Sequence, residues 1–287
     1  MKDLLRGALL LLCLAASLTQ AQPRVVALSW EATEHLLKLD IIPVAVADAQ
    51  DYRARVIRPR LPADVPNAGA QTAPDLQLLA QLKPELILIS PSLEGLRAPL
   101  QRIAPVAVFG NLNQQNDNYL SARDNYLALA QRFGREEQAL RELAAMQARV
   151  DELHRRLVEH FRGRLPKVTV IRFSSPGAVL INGTNSMPQH AMQMLHLQPA
   201  YPLPHSPSGV VQAPLSTLQE IDDGVILYIE PFAQRDQLFS TPQWKAMPFV
   251  RDGRFAAMQP AWTHGGVFSI EYLAEAIAEA LLRLPAQ

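Results

Sequence analysis

Between Arg135 and Gly163 the chain runs without a glycine or a proline, and its apolar residues fall at helical intervals. Leu140, Leu143, Val150, Leu153, Leu157 and Phe161 recur with charged residues between them, which predicts one long amphipathic helix. At 1.5 Å per residue it reaches on the order of 40 Å. The run "RGRLPK" (162–167) then stops it with glycine and proline. A rod of that length in mid-chain must be covered by what precedes and follows it.

Both flanks use the same alternation. Before the rod, "RVVAL" (24–28), "IPVAVA" (42–47), "LILIS" (86–90) and "VAVFG" (106–110) read as buried strands. Helical patterns separate them: "EATEHLLKL" (31–39), "DLQLLAQLK" (75–83) and "GLRAPLQRI" (95–103). After the rod come strands "KVTVIRF" (167–173), "AVLIN" (178–182), "VILYI" (225–229) and "GRFAAM" (253–258). A helix near 188–197 and a terminal helix over 269–284 accompany them, and "STPQWKAMPFV" reads as loop and turn. Strand and helix in alternation give open, largely parallel sheets with both faces covered. The fold class expected is therefore α/β: two Rossmann-like lobes joined by one long α-helix, with a ligand cleft between them. The boundaries expected are a first lobe over 22–134, the helix over 135–164 and a second lobe over 165–287.

Residues 1–21 have the grammar of an export signal. Lys2 and Arg6 precede a short apolar run, and Thr19-Gln20-Ala21 supplies small residues for cleavage after Ala21. The apolar run is too short to span a bilayer. Cys13, the single cysteine, lies inside it, so the mature chain is expected to have no thiol and to rely on its core. The expected location is the periplasm, without membrane insertion. With 27 basic and 27 acidic residues the chain lacks the positive surplus of a general nucleic-acid binder.

Chemistry-bearing patterns are sparse. There is no G-x-S-x-G elbow, no phosphate-binding loop, no H-E-x-x-H and no paired cysteines. Nothing asks for a covalent cofactor or a protein-made metal site, so an enzyme is not expected. One stretch stands out: "DYRARVIRPR" (51–60) puts four arginines in eight positions of a neutral chain. It follows the second strand, where open α/β sheets bind ligands, and a guanidinium fork fits a carboxylate through two parallel hydrogen bonds. Arg55, with Arg53 or Arg58, is expected to face the cleft. Trp30 and Trp262 follow strand-like runs beside polar residues and offer aromatic faces there. Arg172 ends the run "KVTVI", and His205 and His264 are the histidines best placed for the cleft.

The layout resembles periplasmic binding proteins of ATP-driven importers whose lobes are linked by a single helix, and more closely the ferric-hydroxamate (ferrichrome-type) binders. The resemblance covers the mature chain and rests on "RVVALSWEATEHLL", "PDLQLLAQLKPELILIS", "RIAPVAVF", "INGTNS" and above all "TPQWKAMPFVRDGRF". It implies capture of an iron(III)-siderophore, of hydroxamate or citrate-hydroxamate type, and its delivery as a monomer to an inner-membrane permease. Carriers of haem, corrinoid or a metal ion on the same scaffold are the alternative. The resemblance also nominates positions. Gln71 stands where such proteins carry an arginine, Leu93 where they carry a tyrosine, and Arg55 where they carry a tryptophan. Tyr201 and Ser208 complete the expected ligand contacts from the second lobe. The acidic docking positions fall on Gln77 and Ser216, beside which Asp75 and Glu220 are expected to meet the permease.

Overall fold

The structure, a computed structural model, describes residues 22–110, 118–206 and 209–286 of the chain. The expected signal segment and Ser208 lie outside the described residues. The first sheet has the order β2-β1-β5-β6 and is parallel throughout. Its strands are β1 (Val25–Ala27), β2 (Ala45–Val46), β5 (Leu86–Ile89) and β6 (Val106–Val108), while β3 (Gly69–Ala70) and β4 (Ala73–Pro74) form a small hairpin between them. Val25, Val26, Ala27, Ile87, Leu88 and Ile89 are fully buried, as strands packed on both faces require.

The second sheet departs from the expected parallel pattern on one side. Its order is β11-β10-β7-β8-β9, built from β7 (Val168–Ser175), β8 (Ala178–Asn182), β9 (Val210–Pro214), β10 (Val225–Ile229) and β11 (Phe255–Met258). β11, β10 and β7 run parallel, whereas β7, β8 and β9 are antiparallel. Only Pro176 and Gly177 separate β7 from β8, too few residues for a helical crossover, so the chain must double back.

The central rod is a helix over Glu136–His160. Glu136 and Glu137 occupy its first turn and His160 its last, matching the sign of the helix dipole. Its two halves belong to different cores. Ala139 and Met146 pack into the first-lobe cluster, while Val150, Leu153 and Leu157 pack into the second. Leu140, expected on the apolar face, is instead 57% exposed. The expected break between lobes is also crossed near the C-terminus: Val267 and Phe268 sit in the first-lobe cluster before the terminal helix, Ser269–Leu282, returns to the second.

Several elements have no counterpart among the sequence expectations. A helix over Asn118–Arg132 buries Ala122, Tyr126, Leu129 and Ala130, a stripe half made of alanine and so shallow in hydropathy. The edge strand β9 is half exposed along its length and shows no alternation strong enough to read. The arginine-rich stretch is helical only in its first half: a helix over Ala49–Arg55 carries Asp51 in its first turn and Arg53 and Arg55 in its last, and residues 56–60, with Arg58 and Arg60, follow as loop. In "STPQWKAMPFV" two short helices, Pro242–Lys245 and Pro248–Arg251, replace the expected loop, each with proline in its first turn.

Candidate functional site

A cavity of about 1230 Å³ lies between the lobes. The first lobe contributes Ala54 and Arg55 from the end of helix Ala49–Arg55. The second contributes Arg172 of β7, Leu180 and Asn182 of β8, and the segments that follow β10 and β11. A smaller recess of about 270 Å³ shares Val210, Trp262, Thr263 and His264 with it. Ser29, Trp30, Ser90, Ser92 and Gly110 line this recess just beyond the carboxyl ends of β1, β5 and β6. That is where parallel sheets leave backbone ends and side chains open to a ligand.

Two tryptophans from distant parts of the chain meet there. Trp30 and Trp262 have ring centroids 4.9 Å apart. Trp30 is held from behind, its Nε1 donating to the Ala47 carbonyl at 3.0 Å and its ring edge-on to Tyr52. Trp262 lines both recesses and Trp30 the smaller one.

Cationic groups line the larger cavity beside Trp262: Arg55 from the first lobe and Arg172 from the second. Arg172 makes one long contact, Nη2 to the Ala261 carbonyl at 3.3 Å. Partial burial, then the charge of Arg55, pulls its guanidinium below the usual arginine range. Neither Arg55 nor Arg172 meets a carboxylate among the described residues. Burial and then the Arg172 charge likewise push the His264 imidazole down, favouring its neutral form. Glu230 and Asp236 also line the cavity, each reached by Arg235 at 3.4 Å.

Other expected contacts lie elsewhere. Arg53 turns back on its own lobe, Nη2 donating to the carbonyls of Pro62 at 2.6 Å and Val65 at 2.7 Å, so its charge closes a loop. Arg58 pairs with Glu275 and lies over the Tyr272 ring, in a side crevice that shares Arg55, Pro260, Ala261 and Trp262 with the cavity but is not itself part of the cavity lining. Leu93 is buried in the core behind β5, since the short helix Pro91–Leu96 points it inward. Tyr201 packs against the second-lobe core and its hydroxyl donates to Glu220 at 3.2 Å. His205 is exposed and belongs to neither recess. Gln71 does line the smaller recess. Asp75 caps helix Leu76–Leu82 through Leu78 N–H at 3.0 Å, and both Asp75 and Glu220 are exposed.

Behind the tryptophans sits a polar lock with no counterpart among the sequence expectations. Glu34 and His35, on helix Trp30–Lys38, are buried completely or nearly so. The Glu34 carboxylate accepts from Gly266 N–H at 3.2 Å, Phe268 N–H at 2.9 Å, Ser269 N–H at 3.2 Å and the Ser269 hydroxyl at 2.6 Å. Val267 N–H donates to His35 Nε2 at 3.1 Å, so the ring proton belongs on Nδ1. The lock fixes the segment that carries Trp262 and His264. Gly265 and Gly266 permit it, because a Cβ at Gly266 would lie 2.8 Å from Glu34 Oε1 and one at Gly265 2.9 Å from Oε2.

Residues 25–261 match the family model described as periplasmic binding protein. The chain is 30% identical over 260 residues to the iron(3+)-hydroxamate-binding protein FhuD of Escherichia coli K12, covering 90% of this chain and 86% of that protein. It is 28% identical over 163 residues to the Fe(3+) dicitrate-binding periplasmic protein FecB of the same strain, covering 55% and 50%. Among solved structures it is similar to the siderophore-binding protein FhuD from Vibrio cholerae, crystallised with Fe3+–Desferal. That match has a TM-score of 0.89 and 39% identity over 92% of this chain and all of that one. The cleft, the linking helix and these similarities agree: the chain belongs to the periplasmic binding protein family.

Proposed function

We propose that the cleft captures an iron(III)-siderophore of hydroxamate or citrate-hydroxamate type, as the periplasmic component of an ABC importer, and hands it to the inner-membrane permease. The family binds solutes and does not turn them over. The observation that carries the reading is the cavity shared by the two lobes, lined by Trp262 and by one arginine from each lobe. The similarity to proteins named for ferric-hydroxamate and Fe3+–Desferal binding supports it. Among the described residues no three His, Cys, Asp or Glu side chains gather to hold a bare metal ion. Iron carried in by a chelator's own oxygens needs no such group. With His205 outside the cavity, the two-histidine basis for a haem carrier is gone.

Capture on this scaffold works by limited closure. The chelate packs on Trp30 and Trp262 while the arginines fix its polar rim. The linking helix, anchored in both cores, keeps the lobes near their unliganded positions. Release belongs to the permease. Asp75 and Glu220, exposed on different lobes, are the proposed docking charges, each worth under about 1 kcal/mol yet able to steer approach. Export with cleavage after Ala21, and function as a monomer, complete the proposal.

Tryptophan fluorescence titrated with a panel of ferric chelates tests it: at least one hydroxamate complex should quench with a Kd in the micromolar range or tighter. Failure of every ferric chelate to bind refutes the reading. For docking, Asp75→Lys with Glu220→Lys should impair uptake in cells while chelate affinity is retained; unimpaired uptake retires both residues.

A further inference from the structure

Two guanidiniums face one cavity from opposite lobes. Arg55 ends a first-lobe helix and Arg172 lies on the second-lobe strand β7, and both line the same space. They are close enough for the charge of Arg55 to weigh against that of Arg172. Most other arginines inside the fold are committed: Arg53 to three carbonyls, Arg58 and Arg149 to carboxylates, Arg254 to Asp252 and the Gly224 carbonyl. Arg172 is half-buried with a single 3.3 Å contact to a carbonyl, which leaves most of its donors unspent. Half-burying a cation beside another cation is unfavourable unless an anion completes the group.

The acids in the cavity wall do not fill that role. Glu230 and Asp236 lie against Arg235 instead, in the segment that follows β10. The rest of the lining combines apolar Ile229, Phe232, Ala261 and Trp262 with uncharged polar groups, Asn182, Gln212 and Thr263, and with His264. Its apolar share strengthens what two guanidinium forks do to a planar anion.

We infer that Arg55 and Arg172 form a two-lobed subsite for a free carboxylate borne by the iron chelate, which makes a carboxylate-bearing chelate the preferred cargo over a neutral or cationic tris-hydroxamate. The inference rests on the siderophore reading of the cleft and names the substrate class within it. It also gives the carboxylate a second effect. By bridging arginines of opposite lobes it cancels their repulsion and draws the lobes together, so the anion reports cargo as well as holding it.

The experiment measures Kd by tryptophan quenching for three probes: the ferric complex of a citrate-centred dihydroxamate, Fe3+–Desferal, and iron-free citrate. Wild type, Arg55→Met and Arg172→Met are compared, each checked for a native melting transition. Wild type should prefer the citrate-centred chelate, and each substitution should cut that preference over Fe3+–Desferal about tenfold or more. A measurement needing no variant accompanies it: added salt should weaken the citrate-centred chelate and leave Fe3+–Desferal unweakened. An unchanged preference in both variants, or a salt response alike for both chelates, overturns the inference. Iron-free citrate binding as tightly as the chelate also overturns it, since the anion alone would then be the ligand. Binding of Fe3+–Desferal alone overturns the inference and leaves the siderophore reading standing; binding of neither chelate overturns the inference, and the full panel of ferric chelates then decides the siderophore reading.

Discussion

Replacing Glu34 by glutamine should change how stability depends on pH, and the neighbouring His35 decides what to expect. Burial raises the Glu34 carboxyl from 4.5 to about 7, against hydrogen bonds from Ser269, Phe268 and Gly266 that pull it down. The folded state therefore holds a proton that the unfolded chain has lost between those values. Stability from this group is full below 4.5 and disappears as pH rises toward 7, at up to about 1.4 kcal/mol per pH unit and about 3 kcal/mol in all. His35 works the other way. Burial lowers it from 6.5 to about 3, so the unfolded chain binds the extra proton and stability is lost as pH falls through that range.

The two windows overlap between 4.5 and 6.5, where equal and opposite slopes cancel. Wild type should thus draw almost no net pH dependence from this pair there. Glu34→Gln keeps an acceptor for Phe268 and Ser269 but removes the titration, which exposes His35 alone. Relative to wild type, its stability should rise by about 1.4 kcal/mol per pH unit across the window, about 3 kcal/mol in total. His35→Gln, with an amide oxygen for Val267 N–H, should show the opposite slope. Urea unfolding followed by tryptophan fluorescence at pH 4.5, 5.5 and 6.5 measures both differences, and contributions common to all three proteins drop out. If wild type and Glu34→Gln differ by the same amount at every pH, Glu34 is ionised throughout. The dominance of burial over hydrogen bonding would then be wrong.

Gly266→Ala would drive a methyl group into His35 and Glu34, and should lower stability by more than about 2 kcal/mol with loss of the lock's rigidity, read by thermal melting. Leu157, fully buried where the linking helix meets the second-lobe core, should cost about 2–5 kcal/mol as Leu157→Ala in chemical denaturation. The Arg58–Glu275 pair is half open to solvent on the arginine side, so a double-mutant cycle should give a coupling under about 1 kcal/mol that shrinks in high salt. A coupling of several kcal/mol would make it a true clamp between the lobes.

What could be read from the chain depended on how local the deciding physics was. The parallel core of the first sheet was legible because "VVA" and "LILI" are continuous apolar runs, and only full burial on two faces asks for that. The rod was legible from the absence of breakers. Arg55 and Trp262 were legible as cleft residues because the ends of strands locate the ligand side of an α/β sheet. That neither Arg53 nor Arg58 would join Arg55 in the cavity was not legible, and for Arg53 the reason is that Ala49–Arg55 is helical. Two positions along a helix turn Arg53 some 200° from Arg55, roughly the opposite face.

The Glu34 lock was less legible still. Its donors lie 232 to 235 residues away, beyond any periodicity a window can detect. A signal nevertheless existed. Glu34-His35 is a pair of titratable residues set directly before Leu36 on the helix face that should be core, and Gly265-Gly266 stands just ahead of a helix whose first turn needs acceptors. A buried carboxylate must find donors, and a helix start offers unpaired N–H groups close together. The two oddities explain each other only when brought side by side, and that meeting holds Trp262 against Trp30 in the wall of the cleft.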